Sequence, residues 1–181
     1  MSAKVASPLA LHRGPAVGFE EPFEMLGACH DRVERMLALL ERLAAHLPAH
    51  GADAQAADAA RDVMRYFDQA APKHHEDEER HVFPVLRASG RPELEALAER
   101  LHADHLRMAE AWVGMRAALA AIERGHWPAG AAFDAVAPFA AAYRTHIEAE
   151  NTLAYPHAAA DIVGAARDAM GKEMASRRQP G

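Results

Sequence analysis

Two stretches of the chain decide its fold: His74-His75-Glu76-Asp77-Glu78-Glu79-Arg80-His81-Val82-Phe83-Pro84 and His146-Ile147-Glu148-Ala149-Glu150-Asn151-Thr152-Leu153-Ala154-Tyr155-Pro156. Aligned on their first residues they share a histidine, a glutamate four places on, an aromatic residue five places later and then a proline. The copies begin 72 residues apart. A His-x3-Glu pair alone is weak, because twelve histidines and sixteen glutamates in 181 residues produce about one by chance. The aromatic-proline ending on both copies makes chance a poor account. Four places is close to one helical turn, so each pair puts an imidazole and a carboxylate on one helix face.

Outward from the repeat, apolar residues recur at three-and-four spacing and divide the chain into helices. The first runs from Pro22 to the break at Pro48, His50 and Gly51, with the stripe Leu26, Val33, Leu37, Leu40, Ala44 and Leu47 and with His30 in an inward slot. The second, residues 53–86, carries Ala56, Ala60, Val63, Phe67, Ala70, His74, Glu78, His81 and Val85, and Pro72 predicts a kink just before His74. The third, residues 92–124, carries Leu94, Leu97, Leu101, His105, Met108, Trp112, Met115, Leu119 and Ile122, with Gly125 as its cap. The fourth, about residues 129–154, reads Val136, Phe139, Tyr143, His146, Glu150 and Leu153, with Pro138 marking a kink or a late start. A short fifth helix follows over about residues 158–175, then a frayed tail with Arg177 and Arg178 that offers no chemistry. The expected architecture is all-α, an up-down-up-down four-helix bundle over residues 21–157, with an N-terminal arm (residues 1–20) and a C-terminal helix and tail (residues 158–181).

Composition agrees and excludes other classes. There are 44 alanines against fourteen Val, Ile and Thr together, which argues against a sheet. The net charge of −6 and the lack of a long basic run exclude nucleic acid as a partner. The longest apolar runs are about half a membrane span and residues 1–16 hold no secretory apolar run, so the expectation is a cytoplasmic protein without membrane association. With Cys29 as the single cysteine there is no disulfide framework or thiolate cluster, and the histidines need the explanation.

Short connections make neighbouring helices antiparallel, and at 1.5 Å per residue His30, His74, His105 and His146 all fall roughly 12–20 Å from one end of the bundle. Four imidazoles and the carboxylates of Glu78 and Glu150 therefore meet in one core layer, with no inward Lys or Arg to balance them. Two cations bridged by Glu78 and Glu150 would. The expected metal ligands are His30, His74, Glu78, His105, His146 and Glu150, and mixed imidazole-carboxylate ligation suits two Fe ions first, Mn or Zn second. His81 extends the stripe one turn beyond Glu78 and is left out of the site as a core position. His75, Glu76, Glu79 and Glu34 read as solvated flank, and His46, His50 and His126 belong to the opposite end. Tyr143 is either core filling or a donor to a bound oxygen species. Cys29 points about 100° away from His30 and reads as a buried inert thiol.

With these residues quoted, the chain resembles the hemerythrin family, specifically its bacterial HHE cation-binding branch, over about residues 20–157. The marks are His30, the run from His74 to Glu79 leading into Val82-Phe83-Pro84, Asp104-His105 followed by Trp112, and His146 through Glu150 to Pro156. The resemblance implies a bundle with an oxo- or hydroxo-bridged di-iron centre that binds or reduces a small diatomic or peroxide ligand: dioxygen, nitric oxide or peroxide. One departure is Leu101, where the oxygen-carrying members place a further histidine; His102 lies one place along, an imperfect substitute. Two readings stay open beside it, an iron storage, delivery or sensing module of the iron-centre repair type without turnover, and a structural zinc-binding bundle. The repair-type proteins usually bring a cysteine-bearing N-terminal segment that a chain with Cys29 alone lacks, although His50 before Gly51 is similar to one of their histidines. An oxidoreductase activity on peroxide or nitric oxide, the redox partner and the oligomeric state stay open.

Overall fold

Pro22, whose missing N–H goes unused in a first helical turn, opens α1 (Pro22–His50), which runs past Pro48 to Gly51, where φ is 67°. Asp53 caps α2 (Ala54–Asp77), its carboxylate accepting from the Ala56 N–H at 2.8 Å. α2 passes without a gap into a π-helical turn, π1 (Glu78–Val82), and on into α3 (Phe83–Arg87). α4 (Pro92–Glu123) follows, then α5 (Val136–Ala149), a second π-helical turn, π2 (Glu150–Ala154), α6 (Tyr155–Asp161) and α7 (Ala165–Ser176). The computed structural model describes residues 18–126 and 134–178, and among these there is no strand. Residues 1–17 of the expected arm and residues 129–133 of the expected fourth helix lie outside the described residues.

α1 packs on α2 and α5, and α4 packs on the same two, giving the antiparallel four-helix ring that the stripes require. Two apolar cores fill it. One, around Leu37, Leu40, Val63, Phe67, Met115, Leu119 and Phe139, occupies the end with the α1–α2 turn. The other, around Leu26, Phe83, Leu86, Leu97, Leu101, Tyr155 and Met174, occupies the end closed by α7. The histidine layer lies between them.

Several expectations are corrected here. The α-helix runs unbroken through Pro72, and the departure from α geometry begins at each bridging glutamate instead. In both π turns the N–H of the aromatic residue bonds the carbonyl five places back, Phe83 to Glu78 and Tyr155 to Glu150. Pro84 and Pro156 come next, and each lacks a donor and crowds the carbonyl four places back, which favours a widened turn. The extra residue shifts the inward stripe by one place. Val82 and Leu86 are fully buried instead of His81 and Val85, and Ala154 is 0 % exposed while Leu153 is 46 % exposed. In α2, Ala71 is buried and Ala70 exposed. The expected fifth helix is two helices, broken at Gly164, where φ is 53°. Finally, Arg177 and Arg178 are not a frayed tail. Both clamp Asp77, a carboxylate with 0 % exposure, Arg177 through its Nη2 and Arg178 with nitrogens 2.5 Å and 3.2 Å from the carboxylate oxygens.

Candidate metal centre

The structure brings together all six residues expected to form the site. His30 comes from α1, His74 from α2, Glu78 from π1, His105 from α4, His146 from α5 and Glu150 from π2, and none is more than 3 % exposed. They form two four-residue groups, His30-His74-Glu78-Glu150 and Glu78-His105-His146-Glu150, each with ligand atoms within 4.8 Å of one another. The glutamates are common to both, and each divides its oxygens between the groups. Glu78 Oε1 faces His74 Nε2 at 3.2 Å and His30 Nε2 at 3.8 Å, while Oε2 faces His105 Nε2 at 3.4 Å. Glu150 Oε2 faces His30 Nε2 at 3.1 Å, while Oε1 faces His146 Nε2 at 2.9 Å. This is the arrangement of two carboxylates that each span a pair of positions.

A second layer sets the tautomers. His30 Nδ1 donates to Asn151 Oδ1 at 2.9 Å, His105 Nδ1 to Glu79 Oε1 at 2.8 Å and His146 Nδ1 to Asp104 Oδ2 at 3.4 Å. A proton held on each Nδ1 turns the Nε2 lone pair inward. Glu79 is therefore no solvated flank residue, contrary to the sequence reading, and neither is His75, whose ring stacks on that of His105 at 3.9 Å and 11°. Tyr155 was missed as a site residue. Its ring stacks on His30 at 5.2 Å, and its hydroxyl donates to Glu78 Oε1 and lies 3.1 Å from His30 Nε2. Its place in the repeated motif was the available signal. His81 bonds Glu173 of α7 at 2.7 Å and lies outside both groups. His102, 40 % exposed, faces the outer side of Glu79, 3.6 Å away. Tyr143 packs among Phe67, Phe139 and His75. Cys29 is buried and burial pushes its thiol above the usual range, as expected for an inert thiol. At the far end His46 bonds Asp53 at 3.1 Å and stacks on His50.

The inward atoms are mostly acceptors. With the imidazole protons held on Nδ1, Glu78 Oε2 and both oxygens of Glu150 are buried without a hydrogen-bond donor. Such groups cost about 1–3 kcal/mol each, more when charged, so the layer is built for cations. Without a metal, protons take that place. Burial opposes charge on His30, but a second proton, on Nε2, would be donated to Glu150 and Glu78, and these contacts raise its pKa to about 10. His105 is raised in the same way, by Glu78 first, against burial. Burial works against ionised Glu78 as well, yet His74, His105 and His30 hold its carboxyl well below the usual range. His74 is lowered, chiefly by burial.

A helical bundle with an acceptor-lined layer of four imidazoles and two carboxylates is a cation-binding bundle. The profile of the hemerythrin HHE cation-binding domain matches residues 21–158, and the chain belongs to that family. It is also similar to an uncharacterized protein of Haemophilus influenzae, 35 % identical over 94 residues that make up 52 % of this chain and 54 % of that protein. The chain thus spans about half the length of the curated relative it matches. No helix among the described residues is long and apolar enough to cross a membrane.

Proposed function

We propose that the chain is a non-haem di-iron protein that binds or reduces a small oxidant, namely dioxygen, nitric oxide or peroxide. The observation that carries this reading is the pair of four-donor groups sharing Glu78 and Glu150, three of whose four buried oxygens lack a hydrogen-bond donor. His30 and His74 would hold one ion, His105 and His146 the other, and the two glutamates both. Mixed nitrogen and oxygen donors favour iron, with manganese or zinc next. Two histidines and two shared carboxylates would be the donors to each ion, and Leu101, fully buried, adds no further one. When bound, the iron pair supplies electrons to the small oxidant. The chain's own part is to keep water out with its two apolar cores, to fix the Nε2 atoms of His30, His105 and His146 inward through Asn151, Glu79 and Asp104, and to hold a proton at Tyr155 Oη beside Glu78. The expected partner is thus a small diatomic or peroxide molecule and the expected compartment the cytoplasm, which suits a single buried thiol.

The test is metal analysis and optical spectroscopy of protein purified from iron-replete cells, followed by stopped-flow mixing of the reduced form with each oxidant. Two irons per chain, rapid oxidation and repeated turnover support the proposal. Iron that is bound but unresponsive to all three oxidants points to storage or delivery. A chain that takes up only zinc, or no metal, refutes the di-iron reading.

A further inference from the structure

A cleft of about 140 Å³ opens between α2 and α4. Its floor is Phe67, Met108 and Tyr143, all buried; its rim is Pro72 and Ala109, both exposed, with the half-buried Trp112. Trp112 is fixed there, its indole N–H donating to Asp68 Oδ1 at 3.0 Å while Arg116 Nε grips both oxygens of the same carboxylate at 2.9 Å. At the inner end stands His75, which is stacked face to face on His105 with ring centres 3.9 Å apart. One imidazole therefore separates the cleft from the candidate metal layer. The lining is ring faces, a thioether and methyl groups, and no Lys, Arg, Asp or Glu lines it. A largely apolar cleft of about this size has room for a small uncharged molecule such as xenon. A larger cavity of about 280 Å³ lies between α4 and α5, but it ends on the carboxylate of Asp104, which Arg107 holds, a poor seat for an uncharged apolar guest.

We propose that the α2–α4 cleft is a binding site for a small uncharged molecule, through which the oxidant reaches the His105 side of the layer. The identity of the guest rests on the proposed function; the capacity of the cleft does not. Xenon is the probe, applied under pressure to the full chain with and without iron. Saturable shifts of the Trp112 indole and Ala71 methyl resonances are expected, and Ala109→Phe, a change at an exposed rim position, should abolish them. The same substitution should slow oxidation of the reduced iron form by dioxygen about tenfold, with iron content and melting temperature unchanged. Should Ala109→Phe fold poorly, Ala109→Leu narrows the same mouth with a smaller side chain and is expected to weaken xenon binding. Absence of saturable shifts, or equal shifts in both rim variants, overturns the site. An unchanged oxidation rate in a variant that no longer takes xenon overturns the entry route. If the chain holds no iron, the proposed function fails while the xenon measurement still decides the cleft.

Discussion

Ending the chain after Ser176 removes both guanidiniums that hold Asp77, the residue immediately before Glu78. Asp77 has no exposure to water, so the truncation leaves a buried carboxylate without a counter-charge, a change that costs about 3–5 kcal/mol. Native domains hold only about 5–15 kcal/mol in total, so this is a large share. At about 2–4 °C per kcal/mol for a chain of this length, melting should fall by roughly 6–20 °C. The truncation also removes the stacking of Arg178 over the Phe19 ring, 5.2 Å away, so a second change is needed to isolate the charge. Asp77→Asn in the truncated chain removes the unpaired charge and should restore about 2 kcal/mol or more, whereas in the full chain it strands two guanidiniums and should destabilise. Urea unfolding of the four proteins, all metal-free, completes the cycle. The reasoning is refuted if truncation costs less than about 1 kcal/mol, or if Asp77→Asn is equally damaging in both backgrounds.

Other consequences follow from the site. Glu78→Gln and Glu150→Gln should each leave no more than one metal per chain by elemental analysis, while Glu76→Gln, which alters contacts to Arg80 and Arg177 outside the histidine layer, should keep two. In the metal-free chain the raised pKa of His30 contributes stability fully below its unfolded value near 6.5, and that contribution disappears as pH rises through about 10. Thermal melts should therefore fall between pH 7 and 10, and His30→Gln should flatten that fall; an equal slope in the variant would assign the loss elsewhere. Tyr155→Phe strips a donor from a buried carboxylate and should destabilise the metal-free chain by about 1–3 kcal/mol in urea unfolding. A stability unchanged by that substitution would mean Glu78 is satisfied without the hydroxyl.

Much of this was legible in the sequence because helical periodicity and the repeated His-x3-Glu spacing report which residues share a face. His30, His74, His105 and His146 were placed inward on that basis, and all four are buried. What periodicity could not supply was the change of pitch. A stripe extended at 3.6 residues per turn carries His81 and Leu153 inward, but the π turn inserts one residue after each glutamate and exchanges them for Val82 and Ala154. The sequence cause, proline six places after each glutamate, marks the internal repeat, but helical periodicity alone does not turn it into a change of pitch. Asp77 and its arginines were missed for a different reason. They are 100 and 101 residues apart, and only the fold of α7 back onto π1 and α2 pairs them.

The two halves of the repeat are not chemically equal, and the inequality comes down to one oxygen atom. In each half the aromatic residue after the π turn lies against a histidine of the other half: Phe83 against His105 at 5.3 Å, Tyr155 against His30 at 5.2 Å. Both rings fill the same role in packing, which is why the motif tolerates either. Only Tyr155 brings a hydroxyl, and it engages Glu78, while Glu150, the pseudo-symmetric carboxylate, faces imidazole Nε2 atoms with no hydroxyl donor on either oxygen. The apolar cleft falls on the opposite side, behind His75 and His105. A donor proton on the His30 side and an apolar approach on the His105 side give the layer a direction that its sequence symmetry conceals. On the proposed function, the uncharged oxidant would arrive on the His105 side and the proton of Tyr155 would stand ready on the His30 side.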